Sequence, residues 1–160
     1  MHYPIRVLFL CTHNSARSQM AQGLLQFLGK GDFDVHSAGS DPTALHPLAI
    51  QVMREGGIDI AHQRSKHLND YLDHKFDYII TVCERTQEIC PTFPGDTVCI
   101  HWNYPDPTAV TGDEAAQRRA FRKVFNELRE RIHLWILNQR KLLRESGVGS
   151  GALTGQKDAV

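Results

Sequence analysis

The chain has 160 residues, with 18 basic and 18 acidic side chains and a formal net charge of zero. It is the size of one domain with a full core, and it carries no electrostatic footprint for nucleic acid or an anionic membrane surface. No apolar run approaches the roughly 20 residues of a transmembrane helix, and Met1 to Pro4 lack the apolar stretch of a secretion signal. The expectation is a cytoplasmic enzyme with no nucleic-acid and no membrane partner.

The first element is an apolar run, Val7 to Leu10, that stops at Cys11. A short run bounded in this way reads as a buried strand of a parallel sheet. A polar loop of Thr12, His13, Asn14, Ser15 and Ala16 leads to Arg17 and Ser18, and then Met20, Leu24, Leu25 and Leu28 mark a helical stripe. Strand, tight loop and helix N-terminus together make an anion site. The loop N–H groups converge, the helix dipole adds partial positive charge, and Arg17 offers a planar fork for two oxygens. This field, with a hydroxyl hydrogen bond from Ser18, is expected to lower the pKa of Cys11 and aim it as a nucleophile at a bound tetrahedral oxyanion. The competing reading is a buried cysteine that merely ends a core strand.

Gly29 to Asp32 ends the helix, and Phe33 to His36 reads as a second strand leading into Ser37-Ala-Gly39. Leu45 to Arg54 is a second helix, with Pro47 in its first turn and Gly56-Gly57 past its end. This alternation predicts an α/β fold of βαβ units with right-handed crossovers. Ile58 to His67 is polar and reads as a surface loop, and Leu68 to Leu72 as a short helix. Phe76 to Cys83 and Thr97 to Trp102 are further strands; the polar stretch Glu84 to Phe93 between them suits one or two helical turns. Tyr104-Pro-Asp-Pro107 is a stiff loop. From Asp113 a helix of about thirty residues follows, with Phe121, Val124, Phe125, Leu128, Ile132, Trp135 and Ile136 on one core-facing stripe. Residues 1–145 are expected to form a single domain, and the glycine-rich 146–160 a flexible C-terminal tail.

Cys83 closes its strand as Cys11 closes the first, and such strand ends share one rim of an open parallel sheet. Cys83 is therefore a candidate to meet Cys11. Cys90 follows seven residues later, which on a helix would set the two Cα atoms about 10.5 Å apart, beyond the roughly 7 Å a disulfide allows. A Cys83–Cys90 bond would thus require the segment to unwind, as a redox switch would; the alternative is that both are ordinary packing residues. Cys99, alternating with Val98 and Ile100, reads as core. Two structural disulfides do not suit a chain of this size without a secretion signal. Asp106, between two prolines, is a candidate general acid with a pKa raised by the site, or else only an Asp-Pro turn residue. The nine histidines are scattered without metal-ligand spacing, and no metal is assigned.

Cys11-Thr-His-Asn-Ser-Ala-Arg17-Ser18-Gln-Met-Ala21, then Thr81-Val-Cys83 with Cys90-Pro91, then His101-Trp102 ahead of Asp106-Pro107, resemble the low-molecular-weight tyrosine phosphatase family in its arsenate reductase branch. The resemblance runs from Ile5 to the long C-terminal helix and implies a four-stranded parallel sheet flanked by helices, a Rossmann-like three-layer fold. It implies that arsenate binds to the loop from Thr12 to Arg17, that Cys11 attacks arsenic, and that Asp106 protonates the departing hydroxyl. It further implies that Cys83 attacks Cys11 as arsenite leaves and that Cys90 resolves the product to a Cys83–Cys90 disulfide. An external thiol reductant, thioredoxin or glutaredoxin, would reduce that bond, with the seven-residue spacing leaning toward thioredoxin as in thioredoxin-coupled relatives; no bound cofactor is expected, and the neutral charge and well-covered fold suggest a monomer. Relatives that bind potassium beside the loop carry carboxylates where this chain has Gln22 and Lys66, so no potassium site is expected. Thr108 and Ala109 stand where phosphatases of the fold place a tyrosine. The rival reading is a phosphatase that needs only Cys11, Arg17 and Asp106. A non-catalytic redox or oxyanion-sensing domain would have no need for the intact Cys-x5-Arg-Ser.

Overall fold

A computed structural model describes the backbone of residues 3–83 and 93–158, and the side chains as far as residue 147. Four strands, β1 (Ile5–Cys11), β2 (Phe33–Gly39), β3 (Tyr78–Thr81) and β4 (Val98–His101), form one sheet in the order β2-β1-β3-β4. All three pairings are parallel, and Cys11 lies opposite Gly39. Three helices accompany them: α1 (Arg17–Gly29), α2 (Pro47–Glu55) and α3 (Glu114–Asp158).

The continuous apolar run in β1 is explained by burial on both faces. Val7 and Phe9 enter a cluster with Leu24, Val52, Phe121 and Leu128 of the three helices. Leu8 and Leu10 point the other way, into a smaller cluster with Ala38, Phe76, Ile79 and Phe93. A 3-10 turn, Leu68–Tyr71, covers that second face. The sheet therefore has a thick helical layer on one side and a thin one on the other. Helix α2 starts as its sequence suggests: the His46 Nδ1 accepts from the Leu48 N–H at 3.1 Å and Pro47 takes the first helical position.

The chain leaves β1 toward β2, whereas β3 lies on β1's other side. This is the switch point of an open parallel sheet, where a crevice forms outside the C-terminal strand ends. Cys11 and Cys83 both lie there. The segment Ile58 to His67 is not the surface loop its polarity suggests: Ile58, Ile60 and Gln63 are buried and His67 bridges to Gly39. Helix α3 runs past residue 145 to Asp158. Among the described side chains its last buried residue is Gln139, beside which Arg140 pairs with Asp32 at 3.1 Å. The stretch expected to form one or two turns after Cys83, with Cys90, lies outside the described residues through 92.

Candidate active site

The loop after β1 is fixed from outside, carbonyl by carbonyl. The N–H groups of Asp41, Thr43 and His46 donate to the carbonyls of Thr12, His13 and Ser15 at 2.8–2.9 Å, and the Met20 N–H donates to that of Ala16. The Asn14 carbonyl accepts from Gln19 Nε2 at 3.0 Å and from Ser65 Oγ at 2.9 Å. In a trans peptide the following N–H points opposite to the carbonyl. With every carbonyl from Thr12 to Ala16 tied outward, the N–H groups from His13 to Arg17 turn inward as a cradle for an anion.

Asn14 is the pivot. It is fully buried and sits at φ 49°, a left-handed conformation that asparagine tolerates better than most residues. Its Oδ1 accepts from the Lys66 N–H at 2.9 Å, and its Nδ2 donates to Ser18 Oγ at 2.8 Å. Because Ser18 accepts here, its own hydroxyl hydrogen stays available for donation. Gln19 is fully buried as well, and Gln63 Nε2 donates to its Oε1 at 2.8 Å. Gln63, Ser65 and Lys66 therefore turn toward the loop and helix α1, whose hydrogen-bond partners they supply, while Arg64 is exposed.

Gly39 sets the packing distance. A Cβ there would lie 2.5 Å from the Thr12 carbonyl and 2.9 Å from the Asn14 nitrogen, both backbone atoms. Sequence reasoning passed over Gly39 and Gln19. A glycine inside a strand is a signal of close backbone approach, so Gly39 could have been found; Gln19 gave no such signal.

Cys11 is 3% exposed at the foot of the cradle, and the thiol of Cys83 is hydrogen-bonded to it. Cys83 Sγ also lies 3.6 Å from Thr12 Oγ1. The strand-end argument thus holds: β1 and β3 bring the two thiols together. The expected pKa direction does not hold. The Cys83 hydrogen bond and burial push the Cys11 thiol up, outweighing the Arg17 charge and the His13 N–H. The sequence reading placed the second thiol beside Cys11 but weighed only the positive groups in the pKa.

Arg17 faces the opposite wall. Its Nη1 donates to the Tyr104 carbonyl at 2.9 Å, and its Nη2 lies 3.9 Å from Asp106 Oδ2. The Asp106 pKa is also opposite to expectation. Burial raises it, but the hydroxyl and N–H of Thr108, with Arg17 and His13, win and hold the carboxyl below its ordinary value. Thr12, His13, Arg17, Cys83, Asp106 and Ala109 are among the residues lining a cleft of about 510 Å³. Ala109 is small and puts no aromatic ring at its own position, though Tyr104 also lines the cleft.

Lys66 occupies the other side of the loop. Its Nζ donates to the Arg64 carbonyl at 2.7 Å, to Ser37 Oγ at 3.3 Å and to Gln22 Oε1 at 3.4 Å. Burial and nearby Arg64 lower its pKa to about 8. An ammonium among these oxygens is a poor neighbour for a second cation, so this donor set does not fit a potassium ion. Among the described residues no cluster of His, Cys, Asp and Glu suits a metal.

A buried cysteine under an inward-facing N–H cradle, with an arginine and a carboxylate across a cleft, defines an enzyme that attacks tetrahedral oxyanions through a thiol. The chain belongs to the low molecular weight phosphotyrosine protein phosphatase family, whose sequence profile matches residues 6–147. Within it, the chain is 38% identical over 127 residues to the arsenate reductase of Halalkalibacterium halodurans, which spans 79% of this chain and 91% of that one. A solved arsenate reductase in its phosphate-binding state matches with a TM-score of 0.68 and 30% identity, over 84% of this chain and 98% of that one. The thioredoxin-dependent arsenate reductase of Corynebacterium glutamicum matches with a TM-score of 0.64 and 30% identity, over 88% of this chain and 65% of that one. Cys99, read from sequence as simple core, is partly buried against the second cluster and is disulfide-bonded.

Proposed function

We propose that the chain reduces arsenate to arsenite, with Cys11 as nucleophile and a thiol relay through Cys83 and Cys90. The observation that carries this is the Cys83 thiol hydrogen-bonded to Cys11 beneath the anion loop. A hydrolase needs one thiol and a water; a reductase needs a second thiol within reach of the first. The arsenate reductases among its relatives support the same reading.

Arsenate sits in the cradle of Thr12, His13, Asn14, Ser15, Ala16 and Arg17. The Arg17 guanidinium and the Ser18 hydroxyl favour the negative charge that develops on Cys11 as it attacks. The Cys11 proton passes to the oxyanion as the S–As bond forms. Asp106 is a carboxylate beside Arg17, and the dianion next to it raises its affinity for a proton by like-charge repulsion. Asp106 then gives that proton to a departing hydroxyl, which leaves as water. Cys83 attacks the Cys11 sulfur; the S–As electron pair stays on arsenic, which leaves as arsenite, and a Cys11–Cys83 disulfide remains. Cys90 attacks Cys83, which releases Cys11 and gives a Cys83–Cys90 disulfide. An external dithiol of the thioredoxin type restores the thiols.

The relay uses one chain, so we infer a working monomer, comprising residues 1–145 with 146–160 as a tail outside the domain. Such thiol chemistry suits a reducing compartment such as the cytoplasm; among the described residues no helix is long and apolar enough to cross a membrane. No resident metal is needed, because Lys66 supplies the positive charge beside the loop.

The test compares wild type and Cys83→Ser in two assays: thioredoxin-coupled arsenite release and p-nitrophenyl phosphate hydrolysis. The variant should lose arsenite turnover by more than about 10³-fold, as expected for a lost nucleophile, and keep its slow phosphatase activity. Equal arsenite turnover in both proteins would overturn the relay and leave a phosphatase.

A further inference from the structure

We propose that two copies of the chain associate through the outer face of α3, as an antiparallel two-fold helix pair in which each copy keeps a complete cleft. The well-covered surface expected of a monomer is broken on this face. Leu134 and Leu137 are 61% and 49% exposed, although Ile132 and Ile136 on the other side of the same turns are in the core. The unit that does the chemistry remains one chain, because none of the residues on this face lines the cleft.

The face has the spacing of a helix seam. Glu127, Glu130, Leu134, Leu137, Lys141 and Arg144 follow one another at intervals of three, four, three, four and three residues, the a/d repeat of paired helices. At about 100° per residue they stay within roughly 100° of the helix surface. Glu130, Lys141 and Arg144 are exposed like the leucines, and Glu127 is half-buried. The stripe is therefore acidic at its start, apolar in its middle and basic at its end.

That order is its own complement. A two-fold axis level with Trp135 and Ile136 sets Leu134 against the partner's Leu137, Glu130 against the partner's Lys141 and Glu127 against the partner's Arg144. Each contact then occurs twice, as an isologous interface requires. Parallel pairing would set like charges against each other, and an unrelated partner would not need the two ends of the stripe to match. The same axis lies at the middle of α3, which runs from Glu114 to Asp158, so each helix lies along the length of the other. The part of α3 beyond Gln139, its last buried residue among the described side chains, then gains a surface to rest on. Grooves of about 420 and 400 Å³ flank Glu130, one beside Leu28 and His133 and the other beside Tyr104 and Leu134, and they leave room for the partner's long basic side chains. Lys141 touches Glu145 of its own helix at 3.8 Å, with both side chains largely exposed; an open pair of this kind is weak enough to exchange.

Charge reversal tests the register. Sedimentation velocity is followed over a concentration series up to about 1 mM, because a seam of four leucines is small for a stable interface. Wild type should move from monomer toward dimer along the series. Glu130→Lys sets lysine against lysine at two symmetric places and should weaken pairing by about tenfold or more, and Lys141→Glu should do the same. The double variant should return to within about threefold of wild type, and the two single variants, once mixed, should pair with each other in preference to themselves. Leu137→Asp should stay monomeric with an unchanged Tm, since its side chain is exposed. A wild type that stays monomeric throughout, or a double variant that pairs no better than the single ones, would overturn the proposal. Phosphate affinity per chain, read by calorimetry, should be equal in all these proteins; an affinity that followed pairing would overturn the independence of the two clefts.

Discussion

The two walls of the cleft are built on opposite plans. The wall from Cys11 to Ser18 is buried at Cys11, Asn14 and Ala16 to Ser18 and half-buried at Thr12, His13 and Ser15, and every carbonyl from Thr12 to Ala16 is held by a hydrogen bond from outside the loop. The wall from Tyr104 to Ala109 is partly open. Asp106 keeps 37% of its side chain exposed, touches Arg17 only at 3.9 Å, and is held chiefly by its own turn with Thr108. The first wall is preorganised, so that N–H dipoles need no reorganisation when an anion arrives. The second offers a carboxylate whose protonation answers to the charge of whatever is bound. On the proposed mechanism, geometry resides in one wall and proton supply in the other.

The sharpest way to break this division is Asp106→Asn. It should lower kcat by about 10²-fold or more, as for loss of a general acid, while phosphate affinity, read by calorimetry, hardly moves. A parallel loss of affinity would show that Asp106 helps to shape the cradle. Gly39→Ala attacks the other wall. Its Cβ would overlap the Thr12 carbonyl, and overpacking of this kind costs about 1–3 kcal/mol. Phosphate affinity should fall by about tenfold or more, with a lower Tm. Unchanged affinity would mean that the loop is less rigid than its hydrogen bonds imply.

The smallest effect concerns Lys66, whose pKa is lowered to about 8 by burial and Arg64. Burial disfavours the charged form, so this lysine opposes folding below about pH 8 and does so less as the pH rises toward its ordinary value near 10.5. Anion binding runs the other way, because deprotonation removes a positive charge beside the loop. Phosphate affinity should therefore weaken a few-fold between about pH 7.5 and 9, and Lys66→Met should flatten that slope. A wild-type affinity constant across this range would exclude Lys66 as a source of charge.

Much of this was legible in the sequence. The apolar run ending at Cys11, the helix after Arg17 and the second strand-end cysteine fixed where the site would be, because burial and strand direction leave a local signature. What stayed hidden depends on partners far along the chain. Gln63 reaches Gln19 across 44 residues, and a polar segment does not announce that one of its amides is buried and donates into the core. Two pKa directions were reversed as well: the meeting of Cys83 with Cys11 was foreseen but its effect on the thiol was not, and the Thr108 turn around Asp106 leaves no sign in composition. Cys99 shows the limit differently: alternation with apolar neighbours correctly placed it against a core, yet periodicity carries no information about oxidation state.

The hydrogen-bonded loop also decides where this protein can change. Its five tethered carbonyls and the glycine at its back leave no position from Thr12 to Ala16 that could shift alone, so the cradle accepts any tetrahedral oxyanion of the right size and resists retuning. Adaptation toward bulkier or esterified substrates must come from the facing side, at Thr108 and Ala109, where a larger ring could be added without disturbing a single bond of the cradle.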